Sequence, residues 1–283
     1  MNLEKVSIIG AGSVGSFLKQ RLQSASILKI HTRAETHFAI EPDSIVFITP
    51  KLVDLKACIV QMGELPSHCV LVFIQNGLGI CEEFLPRNWV QRNDITVVRA
   101  LLWLGARLDR ETGILYTTDV ESIEMAGEGA AAQASVERVR ALLEMASLPV
   151  KVGGSISEVE WKKAYWNVSL NALAALARVM NQEVLERPEL RTKFDRLLEE
   201  AAAVARARGI VLTEVDRQRV IAATRKVGSN RNSMLQDLEA GRATELPWLN
   251  ERLIHWGQEN GVSTVNHEEI VREIHLSESF CHH

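Results

Sequence analysis

The sequence predicts an α/β chain in which a doubly wound, mostly parallel sheet is followed by an all-helical C-terminal domain. Three observations carry that prediction. The first half alternates short continuous runs of Val, Ile and Leu with helical stretches, the pattern of strands covered on both faces. The first of these runs leads through a glycine-rich turn into an amphipathic stretch. From residue 156 onward the hydrophobic period is helical almost to the last residue.

Taken in order, strands are expected over 6–9, 28–31, 45–48 and 70–74, then over 95–102. A hairpin-like pair is expected over 114–118 and 122–125, followed by a helix over 130–146 and an apolar run at 148–152. Gly153-Gly154-Ser155 then marks a hinge, because two glycines free φ and Ser155 is a good N-cap for a helix starting at Ile156. The domain boundary is placed there, giving domains 1–153 and 154–283. Helices are expected over 156–179, 188–207, 213–226, 230–240, 246–260 and 266–277, with no internal repeat.

With 283 residues, 46% hydrophobic and 24% charged, the chain has a globular composition and a length that favours two domains. Lys plus Arg at 32 against Asp plus Glu at 36 leaves a charge of −4, which argues against a protein that neutralises a nucleic-acid backbone. No run approaches the roughly 18 apolar residues of a membrane span. The start, MNLEKVSIIG, runs straight into a strand without a cleavable-signal pattern, so a cytoplasmic location is expected. Cys58, Cys69, Cys81 and Cys281 form no CxxC pair and no zinc spacing; they are expected to be reduced and structural, with no metal bound.

VSIIGAGSVGSFLKQRL places Gly10, Gly12 and Gly15 as GxGxxG between an apolar strand and an amphipathic helix. In a Rossmann-type domain the first glycine allows the tight turn, the second admits a pyrophosphate to the backbone and the third lets the helix pack closely. Ser13 and Val14, inside the motif, belong to the same cofactor set. The second strand ends in Ile30-His31-Thr32-Arg33, and Arg33 in that place favours NADP, whose 2′-phosphate a guanidinium can clasp. Glu35 keeps the NAD alternative open. Lys51 follows the third run and Asn76 the fourth, and in a parallel sheet both fall at the carboxyl edge where ligands of such sheets bind.

In the helical half, Lys163, Asn167 and Asn171 are spaced four apart, so they line one face of an otherwise apolar helix. Lys162 is off that stripe and expected to be solvated. A second polar cluster, Asn230 to Asp237, opens a helix and Thr244-Glu245-Leu246-Pro247 opens the next; Asn230 and Thr244 are plausible N-caps.

At this point the sequence resembles a family. The run NRNSMLQDLEAGRATELPWLNERLIHWGQENGV is similar to the C-terminal signature of ketopantoate reductase, and WKKAYWNVSLNAL to its central Lys and Asn helix. The GxGxxG opening, Arg33, the Lys of ITPK and the QNG extend the likeness through both domains. The resemblance implies a Rossmann domain that binds NADPH, a helical domain, and reduction of ketopantoate to pantoate for pantothenate synthesis. It further implies Lys163 as the general acid and Glu245 as the catalytic-site residue that holds the substrate's hydroxyl end. Asn167, Asn171, Ser233 and Asn230 resemble the substrate's hydrogen-bonding partners. Asn76 would lie near the nicotinamide ribose, Lys51 near the adenosine phosphate and Arg33 on the 2′-phosphate.

The sequence departs from the family in two places. About ten residues separate Arg33 from the next strand, barely enough for a right-handed crossover. Ala100-Leu101-Leu102-Trp103-Leu104 stand where the family has small and hydroxyl-bearing residues, and either reshape the pocket or point into the core. Two further readings therefore stay open: a reductase of another 2-keto acid, and a non-catalytic NADP-binding regulator. The expected partner is a small 2-keto acid, with neither nucleic acid nor membrane, in a monomer or homodimer.

Overall fold

The computed structural model describes residues 3–109, 111–118, 121–128 and 131–280. Cys281 lies outside the described residues, and its expected reduced state with it. The chain divides into two compact units, one built from the chain up to Gln75 and from Gly79 to Val159, the other from Asn76–Leu78 and the chain from Glu160 on.

The first unit runs β1 (Glu4–Ile9), α1 (Ser13–Leu22), β2 (Ser26–His31), β3 (Ile45–Ile48), α2 (Leu52–Met62) and β4 (Val70–Phe73). The short helices α3 (Ile80–Phe84) and α4 (Arg87–Val90) follow, then β5 (Thr96–Trp103), β6 (Ala106–Leu108), β7 (Leu115–Thr117), β8 (Ser122–Gly127), α5 (Ala132–Met145) and β9 (Val150–Val152). Seven of these strands form one sheet in the order β2-β1-β3-β4-β5-β8-β9. Pairing is parallel from β2 to β5, antiparallel between β5 and β8, and parallel between β8 and β9. This is the Rossmann-type sheet that the glycine loop implies, with the strand order reversing between β1 and β3.

β3 (IVFI) and β4 (VLVF) are buried at every position, as strands with cover on both faces must be. Val6, Ile8, Ile45, Phe47, Val70, Val72 and Val98 alternate along their strands. They meet Phe17, Leu18 and Leu22 of α1 and Val139, Leu142 and Leu143 of α5 in a single core. Each such side chain contributes about 1.5–3 kcal/mol by leaving water.

The expected hairpin over 114–118 and 122–125 is not formed. β7 pairs with β6, whereas β8 joins β5 and β9. Burial explains the choice: five of the six β8 residues are buried, so that strand needs neighbours on both edges, while β7 is half-buried to exposed and suits a two-stranded ribbon. The connection from β2 to β3 holds no helix among its residues 32–44. In place of one, buried Phe38 lies against the His31 ring, centroids 5.3 Å apart, and its N–H donates to Gln61 O at 3.2 Å. The bulky run that ends β5 is largely taken into cores: Ala100, Leu101 and Trp103 are buried, and partly buried Leu102 and Leu104 pack against the main core.

α6 (Ile156–Ala177) ends where Arg178 takes a left-handed φ of 53°. After it come α7 (Glu183–Glu186), α8 (Pro188–Ala207), α9 (Glu214–Lys226), α10 (Ser233–Glu239), a 3-10 turn at Leu246–Trp248, α11 (Asn250–Glu259) and α12 (Val265–Phe280). The single helix expected over 246–260 is split because Pro247 opens the short turn and Leu249, at φ −115° and ψ −94°, leaves helical geometry. From Glu160 to Ala175, α6 is buried except at Lys162, so it forms the core of this unit. α8 presents Phe194, Leu197, Leu198, Ala201, Val204 and Ala205 as a buried stripe of helical period. None of the described helices is long and apolar enough to cross a membrane.

Fully buried Asn250 donates from Nδ2 to Val168 O at 2.8 Å and to His267 Nδ1 at 3.0 Å, while His267 Nε2 donates to Leu197 O at 3.1 Å. A carbonyl only accepts, so the imidazole proton sits on Nε2. Burial holds the His267 imidazole down from 6.5 to about 4. Between those values the unfolded chain binds a proton that the folded one does not, so stability falls as the pH drops through this window. The expected loss by pH 4 is about 3 kcal/mol. Urea unfolding of the parent and of His267→Asn at pH 7 and pH 5 checks it; equal pH slopes in the two proteins would remove His267 from the effect.

Candidate active site

The glycine loop is built by backbone constraints. Gly10 has φ +98°, its N–H donates to His31 O at 2.9 Å, and a Cβ there would meet Thr49 Oγ1 at 2.7 Å. A Cβ on Gly15 would lie 2.0 Å from Gly10 O, so α1 passes the turn at a distance that only glycine permits. Gly12 is exposed, and its missing side chain faces open space with nothing within 4 Å. With no acid in its first turn, α1 leaves free N–H groups and positive potential at the loop. Val14 packs on the core, and Ser13 Oγ accepts from Leu108 N at 3.0 Å.

At the end of β2, Glu35 turns back on its own strand. Its Oε1 accepts from Thr32 N at 2.7 Å and its Oε2 bonds His31 Nδ1 at 2.9 Å, which together hold its carboxyl below the usual range. Arg33 is exposed and paired with Asp54 in the first turn of α2. Lys51 is exposed at the N-cap of α2. Beside it, Gln75 Nε2 donates to Ile48 O at 2.7 Å and Pro50 O at 3.0 Å. Arg99, fully buried in β5, donates to Phe73 O at 3.0 Å and Gln75 O at 2.8 Å. Gln75 and Arg99 tie the ends of β3 and β4 together, and a charge inside the apolar run VVRALLW is the sequence signal that marks such a tie.

In the second unit, Lys163, Asn167 and Asn171 are all buried on one face of α6. Lys163 Nζ lies 4.4 Å from the centroid of the Trp166 ring. Asn167 Nδ2 is buried with no hydrogen-bond acceptor among the described residues. Asn171 O accepts from Asn232 Nδ2 at 3.3 Å, and Asn232 Oδ1 accepts from Leu235 N at 2.9 Å. The N-cap of α10 is therefore Asn232, not Asn230, because the helix starts at Ser233. Half-buried Asn230 uses its carbonyl for Asn181 N at 3.1 Å. Ser233 is exposed. The N-cap of the 3-10 turn is Glu245, not Thr244 as expected, because the turn starts at Leu246; Thr244 Oγ1 accepts from Leu246 N at 3.4 Å. Half-buried Glu245 accepts at Oε2 from Asn76 Nδ2 at 3.1 Å, and Leu78 N donates to Trp248 O at 2.9 Å. The expected residues thus form two local groups in this unit: the α6 face linked to Asn232, and the Asn76–Glu245 pair.

The family described as "Ketopantoate reductase PanE/ApbA C terminal" matches residues 155–278. Over that C-terminal segment the chain is similar to the ketopantoate reductase family. The match spans α6 to α12 and so includes Lys163, the three asparagines of the cluster and Glu245. A 2-dehydropantoate 2-reductase of Archaeoglobus fulgidus is 25% identical over 287 residues, covering 93% of this chain and 94% of that protein, so the likeness extends well beyond the C-terminal segment. Two solved structures share the fold. The 2-dehydropantoate 2-reductase of Geobacter metallireducens has a TM-score of 0.82 at 19% identity, covering 96% of this chain and 99% of its own. D-mandelate dehydrogenase with NADH and anilino(oxo)acetate has a TM-score of 0.84 at 19% identity, covering 97% and 98%. The curated relatives are named as reductases, and the mandelate dehydrogenase is described with NADH.

Proposed function

We propose that the protein reduces ketopantoate, a 2-keto acid, to pantoate with NADPH. The observation that carries the reading is the buried Asn167 Nδ2, a donor without an acceptor, one turn from the buried ammonium of Lys163. An unpaired buried donor is costly unless a ligand supplies the acceptor. An ammonium and an amide on one helix face together fit an anionic, oxygen-rich acid.

The open space at Gly12, the close approach at Gly15 and the positive start of α1 fit a dinucleotide pyrophosphate on the glycine loop. When bound, the reduced nicotinamide supplies the hydride for the keto carbon. Lys163 polarises the keto oxygen and gives it a proton, leaving the neutral amine to be reprotonated from solvent. Asn167 and Asn171 donate to the carboxylate and carbonyl oxygens, while Glu245 accepts from the substrate's hydroxyl, held by its bond from Asn76. Asn230 and Ser233, on the segment that reaches Asn171 through Asn232, complete the substrate side. Lys51 serves the adenosine phosphate. NADPH is preferred over NADH because Arg33 is exposed at the end of β2, whereas the competing acid Glu35 already accepts from Thr32 N and bonds His31. The enzyme acts in the cytoplasm, as a monomer or homodimer.

Initial rates with NADPH and separately NADH, each with ketopantoate, test this directly. NADPH-selective turnover is expected, and Arg33→Ala should raise the KM for NADPH about tenfold with little change for NADH. A bulkier aromatic 2-keto acid belongs in the same assay, since the fold also serves a mandelate dehydrogenase. Faster turnover of that acid would move the substrate assignment, and NADPH binding without turnover of either would leave a non-catalytic role.

A further inference from the structure

We propose that Trp166 is a positioning residue for Lys163: an indole platform that holds the ammonium in place and in its charged form, and that Thr224 locks from the neighbouring helix. The inference rests on the reading of Lys163 as the proton donor.

Lys163 is only 5% exposed, so its ammonium has left most of its water and needs compensation from the protein. The three-residue spacing brings Trp166 to the same side of α6, and Nζ at 4.4 Å from the ring centroid is well inside the range of about 6 Å in which a ring face attracts a cation. The indole is not free to turn. Its Nε1–H donates to Thr224 Oγ1 at 3.0 Å, and the Thr224 hydroxyl, fully buried in α9, donates to Val220 O at 2.8 Å. A hydroxyl has one hydrogen; spending it on Val220 O leaves a lone pair for the indole and fixes the direction of the whole chain. Packing between α6 and α9 needs only bulk at position 166. The polar anchor adds a fixed ring plane, and the fixed plane defines where the cation sits.

A general acid works only while protonated, so its activity falls as the pH rises through its titration. Removing the ring face withdraws support from the charged form and moves that fall to lower pH. Trp166→Leu should lower kcat about tenfold. The alkaline limb of its kcat profile should move down by about half a unit to one unit. KM for the keto acid and the Kd for NADPH should stay within about twofold. Trp166→Phe, which keeps a ring face, should restore most of the limb position, and Thr224→Val should fall between Leu and the parent.

A second readout avoids catalysis. In substrate-free protein labelled with 13C-lysine, the Lys163 ε-methylene signal, identified by its absence from Lys163→Ala, should be ring-shifted upfield in the parent, lose that shift in Trp166→Leu and titrate there at lower pH. If Lys163→Ala is inactive while Trp166→Leu keeps the parent's profile and signal, the platform is wrong and the acid stands. If Leu and Phe alike degrade kcat, KM and NADPH binding together, Trp166 is packing alone and the proposal fails. Unchanged turnover in Lys163→Ala overturns the acid reading and the platform with it.

Discussion

Replacing Lys163 by alanine lowers kcat by about a hundredfold to ten-thousandfold while NADPH binds nearly as in the parent. The split follows from where the residue sits. Lys163 lies on the buried face of α6, next to the unsatisfied Asn167 amide, whereas the dinucleotide features are confined to the glycine loop after β1. Losing the ammonium removes the proton donor and the charge that polarises the keto oxygen, both of which act at the transition state. Single-turnover rates and a fluorescence titration with NADPH measure the two quantities separately. A small primary amine added to the assay should recover part of the rate, because it supplies the missing group to the space that the side chain vacated. A parent-like kcat would mean that the proton comes from elsewhere.

Gly15→Ala is expected to be the most damaging single-methyl change in the first unit. The new Cβ would lie 2.0 Å from the Gly10 carbonyl oxygen and 2.9 Å from Thr49 Oγ1, and backbone cannot swing aside as a long side chain can. Either α1 moves away from β1 or the turn opens, at a cost of about 3 kcal/mol or more. That corresponds to a fall in Tm of roughly 10 °C for a chain of this size. Gly12→Ala makes the contrast. Its Cβ meets nothing within 4 Å and its φ of −76° is ordinary, so the protein should melt as the parent does. The methyl would nevertheless occupy the space that a pyrophosphate needs, and NADPH affinity should drop about tenfold. Parallel melting and binding curves for the two variants separate the packing glycine from the ligand glycine; similar losses of stability in both would defeat the distinction.

The features legible in the sequence were those fixed by short-range rules. Continuous apolar runs located β3 and β4, the helical period located α8, and GxGxxG located the turn that strands of this kind need. The pairing of 114–118 with 122–125 was misjudged because adjacency in the chain competes with burial, and β8, buried at five of its six positions, gained more from entering the large sheet between β5 and β9. The α6 stripe of Lys163, Asn167 and Asn171 was legible because helical spacing alone puts it on one face. Asn232 was not, since its importance comes from a bond to Asn171 O across 61 residues, and Asn230 two positions earlier has the same chemistry. Gln75 escaped for a related reason, since its partners are main-chain carbonyls, which carry no sequence signature, whereas Arg99 was signalled by its charge inside an apolar run and was passed over. The Trp166–Thr224 bond joins two residues 58 apart that each look like ordinary core.

The grouping of Asn76–Leu78 with the chain from Glu160 onward has a consequence for how the molecule is made. The partners of Asn76 and Leu78 are Glu245 and Trp248, so the second unit needs a three-residue insert translated long before the rest of it. During synthesis those residues leave the ribosome early and wait until more than half of the protein has followed them. Contacts of such long range are closed late, because the loop entropy must be met before the bonds form. A fragment beginning at the glycine hinge would therefore lack part of its own structure, and cutting the gene at Gly153 would yield a helical half with Glu245 deprived of its Asn76 donor.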